Sequence, residues 1–367
     1  MTGRGWYPTV AGTRPRMLKR SMFLGVLVAA AVVLCTAAPA SAQDARVSAR
    51  AVSFEVDNVN RSKLACATDG QRYTIRGHIV GTRAQLRDAS AVTLYLHGIG
   101  FGEFFWRSKV ARGYDFAAGM ARRGHVSVVI DRLGYGRSDK PAGFGSCFGG
   151  HADMAHQIAL QLRSGDYGGA TSPSFDRVAL VGHSAGGLTS EVAAFSFGDI
   201  DAIGVLAYAD QPLTPSVQRA RPTSRPRSAP REASRRCSPP APADTRCSVR
   251  RSSTPSPAFF YSVRPQVFAD VFPLLSRNPC GDLASYVPAP NSTLPNLASI
   301  TVPVLYVEGT QDALYPPPAG RAQAARYTGS SGVTFRSLPR TGHALTFERG
   351  RVALQRHVAR WLSDLDG

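Results

Sequence analysis

The stretch Val178-Ala-Leu-Val-Gly-His-Ser-Ala-Gly-Gly-Leu-Thr-Ser190 constrains the fold more than any other part of the chain. Val178 to Val181 read as a short buried strand. Gly182-His183-Ser184-Ala185-Gly186 makes a sharp turn, and Leu188 to Phe197 continue as a helix. This is a G-x-S-x-G pattern in the strand–turn–helix setting that a nucleophile elbow requires. Ser184 must sit in a strained turn, and side chains at 182 and 186 would collide with the strand and helix brought together there. The helix start aims N–H groups and the positive dipole end at the space above the hydroxyl, where an oxyanion would form.

The net charge of +18 on 367 residues resembles a nucleic-acid footprint until it is located. Residues 1–42 carry Arg4, Arg14, Arg16, Lys19 and Arg20 with no acid, and residues 212–257 carry ten Arg against Glu232 and Asp244. Together they hold +13 of the total, which leaves the folded body weakly basic and gives no case for a nucleic-acid partner.

The first 42 residues read as a secretory signal peptide. Arg14 to Arg20 form a basic region, Met22 to Leu34 an apolar one, and Ala40-Ser41-Ala42 a cleavage site, so the mature chain is expected to begin at Gln43. Thr36 and Pro39 interrupt the apolar run, which is short for a spanning helix. No stable membrane insertion is expected after cleavage; an uncleaved anchor is the alternative. Export permits disulfides. Cys66, Cys147, Cys237, Cys247 and Cys280 remain, and their pairing stays open. With no C-x-x-C and no clustered His, no metal site and no cofactor are expected.

In chain order, 43–71 is expected to be a polar, irregular lead-in. Strands are expected at 72–80, 91–96, 125–130, 178–181, 202–208, 302–307 and 333–335, and helices at 114–123, 152–162, 188–197 and 347–365. Strands alternating with helices imply an α/β domain over 72–367, with a mainly parallel central sheet and helices on both faces. Residues 209–300 read as an insertion between the sixth and seventh core strands. Within it, 212–257 holds ten Pro beside its ten Arg and no hydrophobic period, so disorder is expected. Two readings apply to that stretch: a natural cationic loop, or part of a GC-rich gene read out of frame, which its Arg/Pro/Ala/Ser composition favours.

Five landmarks occur in order: Leu94-Tyr-Leu-His-Gly-Ile-Gly100, Asp131-Arg-Leu-Gly-Tyr-Gly-Arg-Ser-Asp-Lys-Pro141, the elbow, Gly309-Thr-Gln-Asp312 and Gly342-His343. With them the chain resembles the α/β-hydrolase family over nearly all of its mature length, and within it the secreted bacterial serine hydrolases of esterase or lipase kind. The resemblance implies a carboxylic ester hydrolase acting on a small-molecule ester through an acyl-enzyme. Ser184 is the nucleophile, His343 the base and Asp312 the acid that orients it, with Asp210 as rival for that role. It also implies an oxyanion hole from the Ala185 and Ile99 N–H groups, a structural turn at Asp131, Gly134 and Gly136, and a cap in the 209–300 insertion.

His97 and His183 are expected to be structural. Phe104, Phe105 and Trp106 are candidates for an apolar pocket or for core. A serine elbow argues against relatives that use Asp there, such as epoxide hydrolases and haloalkane dehalogenases. Perhydrolysis and C–C bond hydrolysis stay open, as does a non-catalytic or inactivated secreted binding protein on the same scaffold.

Overall fold

Beta-branched runs flanked by amphipathic stretches build one nine-stranded sheet in the computed structural model, which describes residues 45–211 and 259–365. The expected signal peptide and the Arg/Pro-rich stretch 212–257 lie outside the described residues. The strands are β1 (Val47–Asp57), β2 (Arg72–Thr82), β3 (Ala91–Leu96), β4 (Val126–Ile130), β5 (Gly168–Gly169), β6 (Arg177–His183), β7 (Ala202–Leu206), β8 (Val304–Gly309) and β9 (Val333–Leu338). Their order is β5-β1-β2-β4-β3-β6-β7-β8-β9. The six strands from β4 to β9 in that order run parallel, while β1 and β2 pair antiparallel at one side.

A short helix α1 (Arg83–Asp88) follows β2. Alternation assigns each strand's side chains to two cores. Val92, Leu94 and Leu96 of β3 join the side covered by α3 (Phe148–Ser164) and α4 (Ala185–Ser196); Tyr95 joins the side covered by α2 (Phe116–Ala121) and the last helix (Arg351–Asp364). Burial on both faces explains why the parallel strands read as continuous apolar runs.

The 43–71 expectation is corrected. It holds β1, eleven residues fully paired with β2, in which Val52, Phe54 and Val56 are buried between more exposed neighbours. That alternation of two outweighs the polar average of the segment. The domain therefore begins before Arg72. Cys66 and Cys147 form a disulfide that ties the segment after β1 to the start of α3, and Cys280 is disulfide-bonded as well.

Chain direction along the sheet reverses at β3. The chain steps to β4 on one side, then to β6 on the other, so the carboxyl ends of β3 and β6 flank a switch point, where α/β sheets open a crevice. Between β7 and β8 the described part of the insertion contains α5 (Pro265–Val271), α6 (Cys280–Tyr286) and α7 (Ala289–Thr293). Before β9 runs α8 (Ala319–Ala324). Among the described residues no helix is long and apolar enough to cross a membrane.

Candidate active site

Ser184 stands between β6 and α4 with φ 54° and ψ −123°, a conformation that costs a non-glycine residue about 1–3 kcal/mol. The surroundings hold it there. Its N–H donates to Leu206 O at 2.8 Å, at the end of β7. A Cβ on Gly182 would lie 2.0 Å from Gly186 O, and one on Gly186 would lie 2.2 Å from Leu96 O. Both glycines are thus required by backbone contact. Ala185 opens α4, so its N–H has no acceptor within the helix.

The loop after β3 faces Ser184. A Cβ on Gly98 would come within 2.9 Å of Ser184 Cβ, so the loop packs against the elbow at the residue before Ile99. His97 is held away from chemistry. Its Nε2 accepts the Arg132 N–H at 3.0 Å, its Nδ1 bonds Gly98 O at 2.9 Å, and burial followed by the Arg132 charge pushes its pKa well down.

His343 follows β9, and Asp312 follows β8. His343 Nδ1 meets Asp312 Oδ2 at 2.8 Å with both side chains buried, while Asp312 Oδ1 accepts the N–H groups of Leu314 and Tyr315 at 2.8 and 3.1 Å. With Asp312 Oδ2 as its acceptor, Nδ1 is the donor nitrogen of the ring, and Nε2 is the one left to accept. Nε2 is buried with no hydrogen-bond partner among the described residues, so no bond links it to Ser184 Oγ. The elbow reaches His343 through its second residue, His183. His183 Nε2 donates to His343 O at 2.9 Å, and its ring stacks on Phe105 at 4.1 Å; burial and the nearness of His343 push its pKa well down.

The rival acid Asp210 does not meet a histidine. Tyr208 and Thr293 donate to its Oδ1 at 2.6 Å each and Gln323 to its Oδ2 at 3.0 Å. The Asp131 carboxylate is absorbed by a turn: it accepts the N–H groups of Glu103 and Arg137 at 2.8 and 2.9 Å and fills the space a Cβ on Gly136 would need. Phe105 and Trp106 are core residues, fully buried, whereas Phe104 lines a cavity of about 700 Å³ together with His78, Arg107 and Arg137. Among the described residues no cluster of three His, Cys, Asp or Glu is arranged to hold a metal ion.

The family model described as the alpha/beta hydrolase family matches residues 94–355. The chain belongs to the alpha/beta hydrolase family. Solved structures similar to this hydrolase include a thermophilic esterase from Thermogutta terrifontis, at 19% identity and TM-score 0.56 over 85% of this chain and 99% of that one. An enol-lactonase from Burkholderia xenovorans LB400 matches at 17% identity and TM-score 0.53 over 81% and 99%. A haloalkane dehalogenase loop variant from Bradyrhizobium elkanii matches at 19% and 0.54 over 86% and 98%. At such identities the likeness is one of fold. No curated protein sequence matches the chain.

Sequence reasoning missed several residues around this hydrolase site. Phe259 lies beside His343, ring centroids 5.5 Å apart, and its carbonyl accepts the Ala344 N–H at 2.8 Å. The buried Glu348 anchors the same segment by accepting from the Tyr261 N–H at 2.8 Å and from Ser262. Asn278 of the insertion touches the loop after β3, and Asp282 the loop after β4. Asp282 accepts from Ser146 and His151 on one oxygen and from Tyr135 and Arg132 on the other. Burial opposes its charge, but His151 and Arg132 outweigh that and hold its pKa down to about 2. None of these residues belongs to a motif.

Proposed function

We propose that the protein is a secreted carboxylic ester hydrolase in which Ser184, His343 and Asp312 act as a triad. The observation that carries the reading is the buried His343–Asp312 pair, with its free Nε2, next to an elbow serine in a strained conformation. Ser184 Oγ attacks the ester carbonyl carbon while His343 Nε2 takes its proton. The oxyanion accepts from the Ile99 and Ala185 N–H groups. Collapse expels the alcohol, which receives the proton from His343, and leaves an acyl-serine. Water then attacks with His343 again as base, releasing the acid and restoring Ser184. Asp312 holds the ring and balances the imidazolium.

Ser184 Oγ and His343 Nε2 close to hydrogen-bond reach when substrate binds, as catalytic contacts often do. The esterase and lactonase neighbours have the same architecture. An exported location fits the Cys66–Cys147 disulfide, a bond that persists in oxidising compartments.

The test is turnover of a short aryl ester together with labelling by a fluorophosphonate probe. Both are expected for the wild type and lost in Ser184→Ala, with kcat lower by several orders of magnitude, about as low as in the Ser184→Ala/His343→Ala double variant. A folded wild type that neither turns over nor labels would leave a binding protein on a hydrolase scaffold. N-terminal sequencing of exported protein should begin at Gln43; finding residues 1–42 intact would defeat the secretion reading.

A further inference from the structure

Gly98 to Phe101 form a turn whose third residue, Gly100, has φ +80°, the conformation a type II turn asks of glycine. The turn's own closing bond, Phe101 N–H to Gly98 O, is long at 3.4 Å. Two shorter bonds come from the insertion: Gly100 N–H donates to Asn278 Oδ1 at 2.6 Å, and Ser276 N–H donates to Gly100 O at 2.8 Å. A donor at Gly100 settles the orientation of the Asn278 amide, oxygen towards the loop. The clamp therefore fixes the peptides on both sides of Gly100, one through its N–H and the other through its carbonyl, and the Ile99 N–H lies in the peptide just before them.

The clamp is itself braced. Pro279 is buried against Gly134, where a Cβ would fall 2.4 Å from its ring, and Asp282 pairs with Arg132 at 3.4 Å. Arg132 in turn grips His97 at both Nε2 and O, each at 3.0 Å. Residues 276–282 thus hold the loop after β3 from two directions.

We infer that Asn278 is a positioning residue for the oxyanion hole, acting through Gly100 on the Ile99 N–H, so that the insertion is part of the catalytic machinery and not only a cover over it. Gly100's own N–H is committed to Asn278 and is not a donor to substrate. The inference rests on the ester-hydrolase reading above, and its effect is specific to the transition state, where the oxyanion forms.

Kinetics on a short aryl ester test it, alongside inhibition by a trifluoromethyl ketone, whose tetrahedral adduct needs the hole, and by its unreactive methyl ketone analogue. Asn278→Ala is expected to lower kcat about 10–100-fold with KM changed less than about threefold, less than the loss of a whole oxyanion donor. Trifluoromethyl ketone affinity should fall in parallel while methyl ketone affinity stays. Asn278→Asp keeps an acceptor and should recover most of the rate. Asn278→Leu keeps volume without an acceptor and should match alanine, which covers the case of an alanine variant that does not fold. Arg277→Ala, at the exposed neighbour, should be silent. A folded Asn278→Ala or Asn278→Leu with wild-type kcat, or an equal fall in affinity for both ketones, overturns the clamp while wild-type turnover leaves the hydrolase reading standing. A wild type without Ser184-dependent labelling sinks both.

Discussion

Asp312 and Asp210 stand at matching places, three residues past the end of β8 and four past the end of β7, and both are buried. Their partners differ. Asp312 has two backbone N–H groups on one oxygen and the His343 ring on the other. Asp210 has hydroxyls, an amide and, across Gln323, a second buried carboxylate, Glu191. Burial raises the pKa of Asp210, and burial followed by the charge of Asp210 raises that of Glu191 well above its ordinary value. Place at a strand end therefore does not separate the two carboxylates; what separates them is the His343 ring that bonds Asp312.

The largest effect that sharpens this contrast is on turnover. Asp312→Asn puts an amide where His343 Nδ1 needs an acceptor and favours the wrong tautomer. kcat should fall about 10³–10⁴-fold with little change in thermal stability, while Asp210→Asn should stay within about threefold of wild type. Steady-state kinetics on the two variants decide it. The reverse ranking would move the acid to the end of β7 and leave Ser184 and His343 as they are.

Next in size is Asp282, a buried carboxylate kept charged by Arg132 and His151. Asp282→Ala leaves the Arg132 guanidinium buried and unpaired, and should cost about 3–5 kcal/mol, read by denaturant titration. Its folded pKa of about 2 lies below the ordinary 3.8, so its contribution is present above about pH 4 and is lost as pH falls through 3.8 towards 2. A loss below about 1 kcal/mol would mean that Asp282 is not what holds α6 to the core.

The elbow, the strand ends and the order of Ser184, Asp312 and His343 along them were legible because each is a local pattern of a few residues, and backbone contacts at Gly182 and Gly186 give the elbow its physical reason. β1 was equally local, but its alternating Val52, Phe54 and Val56 sit among polar residues that hid them in an average. Phe105 and Trp106 read as pocket or core with equal right, since sequence shows that they are apolar and not which side they face. Asn278 and Asp282 were out of reach for another reason. Their contacts with Gly100 and Arg132 span 178 and 150 residues, and nothing near them in sequence marks the partner.

The smallest effect lies in the Asp210–Glu191 pair and appears only with pH. Both acids have folded pKa values above their unfolded ones, so the stability they contribute is complete below about pH 4, and it declines as pH rises through the folded values. Gln323 Nε2 bridges them at 2.8 and 3.0 Å, Tyr327 also donates to Glu191 Oε1, and Glu191 Oε2 is buried without a hydrogen-bond partner among the described residues. Glu191→Gln keeps the oxygen that accepts and removes the group that must ionise. It should be near neutral at pH 5 and raise stability by about 1–2 kcal/mol at pH 9, flattening the alkaline decline. Asp210→Asn removes the same repulsion but sets an amide N–H against Gln323 Nε2, losing about one hydrogen bond, so it should be slightly destabilising at pH 5 and near neutral at pH 9. Thermal melts of the three proteins at both pH values measure this. A Glu191→Gln variant whose melting temperature keeps the wild-type pH slope would show that the pair is not what titrates, and Asp210 would then differ from Asp312 in its partners alone.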